Sequence, residues 1–524
     1  MRVDGTVPIA AYSAVGDGCA VALGALDGSM DWWSVRALDG SVVFDRLLDA
    51  ENGGYWEIAP AEPASVERRY RPHSNVLETT FRTAGGSARL TESLNSGPAG
   101  RLPWAELARR IESLEGTMQW AMTFRPTTQG GAVTPKRSAS DSGFMFQIAD
   151  VLAILLCPAA VEVEAIEREG VAARFSISAG DRLSFAVVAT QGEPLVVPKL
   201  RDIDARIDGS DREWRQWADA LDFDIEFQEQ VVRAALTLKF LIFSPTGAIA
   251  AAATTSLPES IGGDGNWDYR FAWVRDCAYS INAFLHVGAL PEATAAFTWL
   301  LKTVRRHGPI RPCYTLSGER VPAEQHLKLP GYAGSQPVRR GNLATGQFQL
   351  SLFGDLFDMT WRMVKAGHRL DEPTRQQMFD LADECANVWT RKDSGFWELQ
   401  SVEHYTISKI ECWSALGHAC DLVERGQLPD DHLRRWRRER ERILDWINAN
   451  CWSDERQAYV YFAGSDQLDA AILLAPRFGF GLEGRERDRF VLTRSAIEAE
   501  LDAGDGLVYR FSGAAQKEGA FIAT

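Results

Sequence analysis

The pattern of apolar and polar positions changes once along the chain, at about residue 200. Before that point, short runs in which apolar and polar residues partly alternate predict strands over 55–59, 77–82, 117–124, 161–166 and 183–188. Clusters of turn-forming residues, such as Ala84-Gly85-Gly86, separate these runs. Many short strands at regular spacing are typical of a β-sandwich, which we therefore expect over residues 1–200.

From about residue 227 the apolar positions recur with the period of a helix. The candidate helices are 228–242, 271–287, 292–306, 342–366, 374–391, 406–424, 430–449 and 486–502. No strand pattern separates them, so the sequence predicts an all-α region over 227–524. The charged segment 201–226 is expected to link the two regions and to be partly helical. Loops at 254–268, 308–341 and 393–405 are longer than connections need, and such loops usually carry function.

One segment, residues 266–276, combines aromatic and charged side chains at high density. It reads Asn-Trp-Asp-Tyr-Arg-Phe-Ala-Trp-Val-Arg-Asp and follows a Gly-rich turn. Trp and Tyr offer flat apolar surfaces to the C–H faces of a sugar, and Arg and Asp supply directional partners for its hydroxyl groups. The segment therefore indicates a neutral, hydroxyl-rich ligand. The alternative is a solvated Arg275 and an Asp276 that interacts favourably with the helix dipole.

A second candidate site is the stretch Gly395-Phe396-Trp397-Glu398, in a loop that precedes a helix. A large aromatic ring beside a carboxyl group shields it from water and raises its pKa. Such a group keeps its proton and can donate it to a leaving oxygen. From these residues alone, a surface Glu398 beside a core Trp397 is the more frequent outcome.

Composition narrows the class of ligand. A net charge of -15 argues against nucleic acid and against an anionic membrane surface, and it suits a neutral substrate. The eight His have no metal-ligand spacing and no phosphate-binding glycine loop is present, so we expect neither a metal site nor a cofactor. The eight Cys lie in apolar neighbourhoods without C-x-x-C pairs, and no basic leader or long apolar run is present. These features predict a cytoplasmic protein with reduced cysteines and no membrane span.

The motifs of the chain, taken in order, resemble glycoside hydrolase family 15, which includes glucoamylases, glucodextranases and bacterial trehalases. They are Asp27-Gly28-Ser29-Met30-Asp31-Trp32, the segment 266–276, Gly395-Phe396-Trp397-Glu398, Gly464-Ser465-Asp466 and Gly506-Leu507-Val508-Tyr509-Arg510. The resemblance implies a multidomain β + α protein in which an N-terminal β-sandwich precedes an (α/α)6 barrel. It also implies inverting hydrolysis of an α-glucosidic bond at a non-reducing end.

The resemblance implies roles for individual residues. Glu398 matches the general acid of the family. The residues that match those holding the terminal glucose are Tyr269, Arg275 and Asp276. Trp397 matches the wall beside the acid, and Arg510 matches a basic residue of the same pocket. Ala37, Gly265, Ser351 and Phe353 depart from the residues usual in the family, which indicates a divergent member.

The general base has no visible counterpart in the sequence. Inversion needs a second carboxylate roughly 6.5–9.5 Å from the first, to admit a water molecule. The family places it beyond the block resembled by Glu518-Gly519-Ala520-Phe521, and the chain stops at Thr524. The candidate helices are also fewer than six helical pairs require. We therefore expect a barrel that is incomplete at its C-terminal end, through truncation or loss of the base. Association between copies of the chain to cover its exposed apolar faces is a further expectation.

Three functions remain open from the sequence. The main interpretation is an exo-acting glycoside hydrolase of the glucoamylase type, which releases glucose from a non-reducing end. The first alternative is a trehalase, which uses the same pocket for one glucose and differs in the second subsite. The second alternative is a non-catalytic carbohydrate-binding protein that has lost the general base.

Overall fold

The computed structural model of the protein describes residues 2–96, 102–140, 142–514 and 519–522. The chain forms two compact units. The first contains Met1–Phe271, Val287–Ala289 and Glu324–Gly341, and the second contains Ala272–His286, Leu290–Ala323 and Asn342–Thr524. An antiparallel β region followed by a helical region, as the sequence predicts, is confirmed.

The first unit is built on one large antiparallel sheet. Its strands are β1 (Tyr12–Gly16), β2 (Val21–Ala25), β3 (Ser29–Ser34), β4 (Val42–Phe44), β5 (Tyr55–Pro60), β6 (Ser65–Tyr70), β7 (Leu77–Thr83), β8 (Gly86–Leu94), β9 (Ala105–Arg125), β10 (Lys136–Ser140), β11 (Gly143–Ile148), β12 (Val151–Leu156), β13 (Val163–Ala165), β14 (Val171–Ser178) and β15 (Arg182–Gln191). The predicted strand over 161–166 is shorter than expected, because Val161 instead closes a turn by donating its N–H to the Pro158 carbonyl.

The long strand β9 joins two parts of this sheet. Its first half pairs with β8 and β15, and its second half pairs with β5 and β14. The two parts pack against each other through aromatic rings: the centroids of Phe81 and Trp120 lie 5.5 Å apart, and those of Phe124 and Phe146 lie 4.6 Å apart. Edge-to-face and tilted ring pairs of this kind stabilise a core beyond simple burial. The core of the first unit therefore lies between the two parts of one sheet.

Two helices complete the first unit. The helix α1 (Leu200–Asp219) packs on β8, β9 and β15, and α2 (Gln228–Phe240) follows it. The guanidinium group of Arg110 on β9 contacts both Asp204 and Asp208 on α1, at 2.7 and 2.9 Å. Most of the segment expected to be a partly helical linker is thus a continuous helix tied to the sheet by ion pairs.

The second unit contains the remaining long helices. They are α3 (Val274–His286), α4 (Leu290–His307), α5 (Ser351–Lys365), α6 (Glu372–Val388), α7 (Thr406–Glu424), α8 (Leu433–Asn450) and α9 (Gly484–Leu501). A run of 3-10 helix spans Ala470–Phe478. The helix α7 packs against α5, α6 and α8, and α3 packs against α4 and α5. Its central position explains why α7 is buried on most of its surface.

Three predicted helices begin later than the sequence pattern indicates. The one expected over 430–449 begins at Leu433. The helix expected over 342–366 begins only at Ser351, because Asn342 caps a 3-10 turn over Leu343–Gly346 and the Leu350 N–H donates to Asp393 instead. The helix expected over 271–287 begins at Val274, because Ala272–Trp273 pairs as a short strand with Cys313–Tyr314. In the helices that begin at Ser351 and at Val274, tertiary contacts hold residues that the pattern assigns to the helix. Helix propensity alone does not reveal such contacts.

The structure also bears on the expectations about membranes, metals and cysteines. Among the described residues, no helix combines the length and apolar character that crossing a membrane requires. The same residues contain no group of three or more His, Cys, Asp and Glu side chains arranged to hold a metal ion. Seven of the eight cysteines are buried, and all eight are free thiols.

Candidate active site

The loop that carries Glu398 is held rigidly between α6 and α7. One carboxylate oxygen of Asp393 accepts hydrogen bonds from the Leu350 N–H at 3.0 Å and the Ser408 hydroxyl at 2.9 Å. The buried Lys409 ammonium donates to the carbonyls of Trp389 and Arg391, at 2.7 and 2.6 Å. Lys409 and Ser408 lie in the first turn of α7, so this helix fixes the loop from both sides.

The backbone of this loop adopts conformations that need such support. Gly395 has a φ of +71°, and a Cβ atom placed there would lie 2.6 Å from the ring of Tyr405. Glu398 itself has a φ of +59°, in the left-handed region that residues other than glycine rarely occupy. Strained backbone of this kind is concentrated at functional sites, where the surrounding structure holds a side chain in one direction.

The carboxyl group of Glu398 receives three hydrogen bonds, all on the same oxygen. The donors to Oε1 are the Trp273 Nε1 at 2.9 Å, the Arg275 Nη2 at 3.3 Å and the Gln349 Nε2 at 3.3 Å. The other oxygen, Oε2, makes no hydrogen bond to a described residue. Three donors on Oε1 leave Oε2 as the place for a proton that can be passed to a bound molecule.

The environment of Glu398 favours this protonated form. Burial raises the pKa of the carboxyl group, and the negative charge of Asp276 acts in the same direction. The positive charge of Arg275 and the hydrogen bonds from Gln349 and Trp273 oppose the rise without cancelling it. A buried carboxylic acid with a free hydroxyl edge has the properties of a general acid.

Arg275 and Asp276 lie in the first turn of α3. The guanidinium group of Arg275 stacks over the ring of Phe396, with its central carbon 4.1 Å from the ring centroid. Asp276 is half-buried, and burial raises its pKa while the charge of Arg275 lowers it. Neighbours in sequence thus provide one hydrogen-bond donor and one acceptor beside Glu398.

Trp397 is fixed on two sides. Its indole Nε1 donates to the Asp469 Oδ1 at 2.7 Å, and the guanidinium group of Arg510 lies 5.5 Å from its ring centroid. Ala470, the residue after Asp469, donates its N–H to the Arg510 carbonyl at 2.8 Å. Asp469 is fully buried, and burial raises its pKa to about 7 despite the hydrogen bond from Trp397.

Most of the residues singled out from the sequence come together in the second unit. These are Arg275, Asp276, Trp397, Glu398 and Arg510. Tyr269 belongs to the first unit, is half-buried and accepts the Ala252 N–H on its backbone carbonyl at 2.8 Å. Its contact with a sugar stays a prediction, and so does the identity of the general base.

Several residues of the site were missed in the sequence. They are Trp273, Gln349, Asp469 and Gln347, whose Nε2 donates to the Glu398 carbonyl at 2.8 Å. Trp273 lies inside the segment 266–276, and Asp469 lies three residues after the motif Gly464-Ser465-Asp466, so their positions were a usable signal. The two glutamines lie in a segment that the helical pattern assigns to the interior of a helix. Only the late start of α5 makes them part of a loop.

Two family models match the chain: glycosyl hydrolases family 15 over residues 226–519, and the trehalase-like N-terminal model over residues 2–179. A trehalase of Mycolicibacterium smegmatis is 32% identical, over 98% of this chain and 81% of its own length. A trehalase of Thermoplasma volcanium is 29% identical, over 100% of this chain and 84% of its own length.

Among solved structures, a bacterial glucoamylase complexed with acarbose resembles this chain with a TM-score of 0.67 at 13% sequence identity. The likeness covers 97% of this chain and 81% of the glucoamylase. At so low an identity it concerns the fold alone. The order of a large antiparallel sheet followed by a helical region is the one that the glucoamylase also has.

Proposed function

The chain belongs to glycosyl hydrolases family 15 and is a glycoside hydrolase, and we propose that its substrate is trehalose. The observation that carries this proposal is the match of residues 2–179 to a trehalase-like N-terminal model, beside the family match of the helical region. The relatives compared above are named trehalases and resemble the chain through both regions. The glucoamylase type, our main interpretation from the sequence, therefore gives way to the trehalase alternative. Membership of a hydrolase family likewise favours catalysis over the non-catalytic alternative.

The geometry around Glu398 supports the first chemical step. Trehalose joins two glucose units through one oxygen between their anomeric carbons. Glu398 donates the proton on Oε2 to this oxygen as its bond to the first glucose breaks. A water molecule attacks the same anomeric carbon from the opposite face and gives up a proton to a second carboxylate. That glucose leaves as the β-anomer, and the other leaves as the α-anomer.

We assign the remaining site residues to holding the first glucose. Arg275 and Asp276 provide a donor and an acceptor for its hydroxyl groups, Trp397 provides an apolar wall, and Arg510 completes this side of the pocket. Contact of Tyr269 with the same glucose stays a prediction from the sequence. We further propose that the helices of the second unit belong to an (α/α)6 barrel and that the first unit is a β-sandwich. The carboxylate that activates the water is left unassigned.

Glucose release from a panel of sugars tests the substrate. The purified chain is incubated with trehalose, maltose, dextran and starch, and free glucose is measured against time. We expect trehalose to have the highest kcat/KM of the four. Faster release from maltose or starch would return the chain to the glucoamylase type.

The anomers formed from trehalose test the mechanism separately. Proton NMR spectra taken before mutarotation distinguish the two anomers of glucose. Inversion gives equal amounts of α- and β-glucose, because only the attacked carbon changes configuration. If only α-glucose were formed early in the reaction, the inverting mechanism would be wrong even though the substrate was right.

A further inference from the structure

Two buried carboxyl groups lie near Arg275 without any hydrogen bond. Asp355 on α5 is 1% exposed and Glu411 on α7 is 0% exposed. None of their four carboxyl oxygens has a hydrogen-bond partner among the described residues. Leaving a buried polar group unpaired costs free energy, so two such groups side by side require an explanation.

The packing of α5 against α7 makes room for Glu411. A Cβ atom added to Gly354 would lie 2.6 Å from the Cβ and 2.8 Å from the Oε2 of Glu411. Both distances are too short for a real side chain, so only glycine at position 354 admits the Glu411 side chain. The Glu411 carboxyl group therefore lies against the backbone immediately before Asp355.

Charged and titratable groups from every neighbouring element face this pair. They are Arg275, Asp276 and Tyr279 on α3, Asp358 on α5, Cys412 on α7, Asp393 in the loop before α7, and Arg477 on the 3-10 helix. Arg477 already pairs with Asp358 at 3.1 Å and stacks on the ring of Tyr279 at 3.9 Å. Arg275 uses its Nη2 on Glu398, whereas its buried Nη1 makes no hydrogen bond. Arg275 and Arg477 thus each make one ion pair and one ring contact, and Arg275 is the one of the two that pairs with Glu398.

Two adjacent carboxyl groups in such a place resist carrying two charges. Burial raises the pKa of Asp355 to about 7, although Arg275 and Arg477 oppose the rise. Burial also raises the pKa of Glu411 well above its usual range, and the neighbouring Asp355 raises it further. Like charges at short distance in a dry interior keep one of two acids protonated.

We propose that Asp355 and Glu411 form a carboxyl pair that carries a single negative charge, and that this charge positions Arg275 against Glu398. The inference rests on the proposed role of Glu398 as the general acid. Asp355 and Glu411 are positioning residues, since their buried oxygens are out of reach of a sugar. Without the pair, only Asp276 would oppose the charge of Arg275, and Arg275 would favour the loss of the Glu398 proton more strongly.

The pH dependence of stability tests the pair without any assay of activity. A carboxyl group whose pKa is raised on folding stabilises the fold below its unfolded pKa, and this contribution is lost as the pH rises through its folded pKa. We expect the stability difference between Glu411→Gln and the wild type to change in favour of the variant between about pH 5 and pH 8. In the variant the amide donates to ionised Asp355, so less stability is lost as the pH rises through the pKa of about 7 that Asp355 has in the wild type. The midpoint of urea unfolding at each pH measures this difference.

Glu439 provides the matched control. It is a buried glutamate on α8, but Trp389 and Arg442 donate to it, and despite burial its pKa is lowered. Glu439→Gln should therefore not acquire the advantage at higher pH that Glu411→Gln acquires. Parallel curves for the wild type and Glu411→Gln would overturn the proposal whether or not the chain hydrolyses trehalose.

The pH profile of hydrolysis tests the action on Arg275. Hydrolysis requires protonated Glu398, so activity falls at high pH as this proton is lost. In Asp355→Asn the charge of Arg275 is less compensated than in the wild type. We therefore expect the alkaline limb of the profile, where kcat/KM falls with increasing pH, to lie about one pH unit lower. In Glu411→Gln, Asp355 keeps its charge and the limb should stay in place. An unmoved limb in Asp355→Asn would overturn the action on Arg275. A chain inactive on trehalose would contradict the proposed substrate instead. The pH profile of kcat/KM is then measured with the glucoside that the chain does hydrolyse.

Discussion

Two sets of carboxyl groups, one in each unit of the molecule, show opposite pKa shifts. In the first unit, burial acts to raise the pKa of Glu78, Asp204 and Asp208, but neighbouring arginines outweigh it and all three pKa values are lowered. In the second unit, burial prevails at Glu398, Asp355 and Asp469, and their pKa values are raised. The first arrangement stabilises charged groups, and the second keeps acids protonated.

Carboxyl groups with the opposite shift occur in both units, and two of them show that the partner decides the outcome, whichever unit the residue belongs to. Asp45 in the first unit is held by the Thr127 hydroxyl and the Gly54 N–H, with no arginine, and burial raises its pKa to about 6. Glu439 in the second unit has Arg442 as a partner, and its pKa is lowered. A cluster of acids in which burial outweighs the nearby cations is therefore the physical mark of the candidate site.

The largest expected effect is the loss of Glu398, the proposed general acid. Glu398→Gln keeps the shape of the side chain but has no proton to donate, and we expect the rate of glucose release to fall about 10²- to 10⁴-fold. Glucose binding by calorimetry should persist. The control is Glu403→Gln in the same loop, where the carboxylate pairs with Lys392 at 2.7 Å. Equal turnover by Glu398→Gln and the wild type would remove Glu398 from the mechanism.

The next largest effect is expected on stability, when an ion pair inside the first unit is broken. Arg109 and Glu92 are fully buried and lie 2.8 Å apart. Arg109→Met leaves Glu92 with only Arg68, at 4.0 Å, as a cationic neighbour, and we expect a loss of about 3–5 kcal/mol in the free energy of unfolding. Arg182→Met, at a half-exposed pair, should cost less than about 1 kcal/mol. If urea titrations gave similar losses in the free energy of unfolding for both variants, burial would not determine how much an ion pair contributes.

A raised carboxyl pKa in the second unit should make stability fall with increasing pH. A change for Asp469 from 3.8 to about 7 corresponds to at most roughly 4 kcal/mol. This contribution is present below the unfolded pKa and is lost as the pH rises through about 7. In Asp469→Asn the amide oxygen still accepts from Trp397, and the decline should be smaller. Thermal unfolding from acid to mildly alkaline pH measures the decline in stability. The same decline in Asp469→Asn and the wild type would show that the pKa of Asp469 is not raised.

The smallest effect on stability is expected at Asp208 in the first unit. Its dependence on pH is opposite to that of Asp469, because the contribution of Asp208 is lost as the pH falls. Burial raises its pKa, but Arg110 and Arg71 lower it overall, and the side chain is 41% exposed. Asp208→Asn should therefore cost at most about 1 kcal/mol at neutral pH. The difference from the wild type should disappear as the pH falls through the pKa of the carboxyl group. A difference that grew in acid would reverse the comparison between the two units.

Much of the site could be predicted from the sequence because its central residues are close neighbours along the chain. The segment 266–276 supplies Arg275 and Asp276, and the stretch 395–398 supplies Trp397 and Glu398. A motif keeps such residues together whatever the rest of the fold does. The division into a β region and a helical region was equally visible, because strands and helices bury one face with different periods.

The partners of Glu398 could not be predicted in the same way. Gln349 and Trp273 are separated from it by 49 and 125 positions, and Asp469 reaches Trp397 across 72 positions. The glutamine became available only because α5 begins at Ser351 instead of residue 342.

The sequence by itself determined the two regions, the candidate acid and the aromatic residue beside it. The tertiary structure alone decided which donors meet Glu398, which acids stay without a cation, and therefore which carboxyl groups keep a proton. The physical reason is that a pKa depends on burial and on charges a few ångströms away, and both arise only when distant segments pack together.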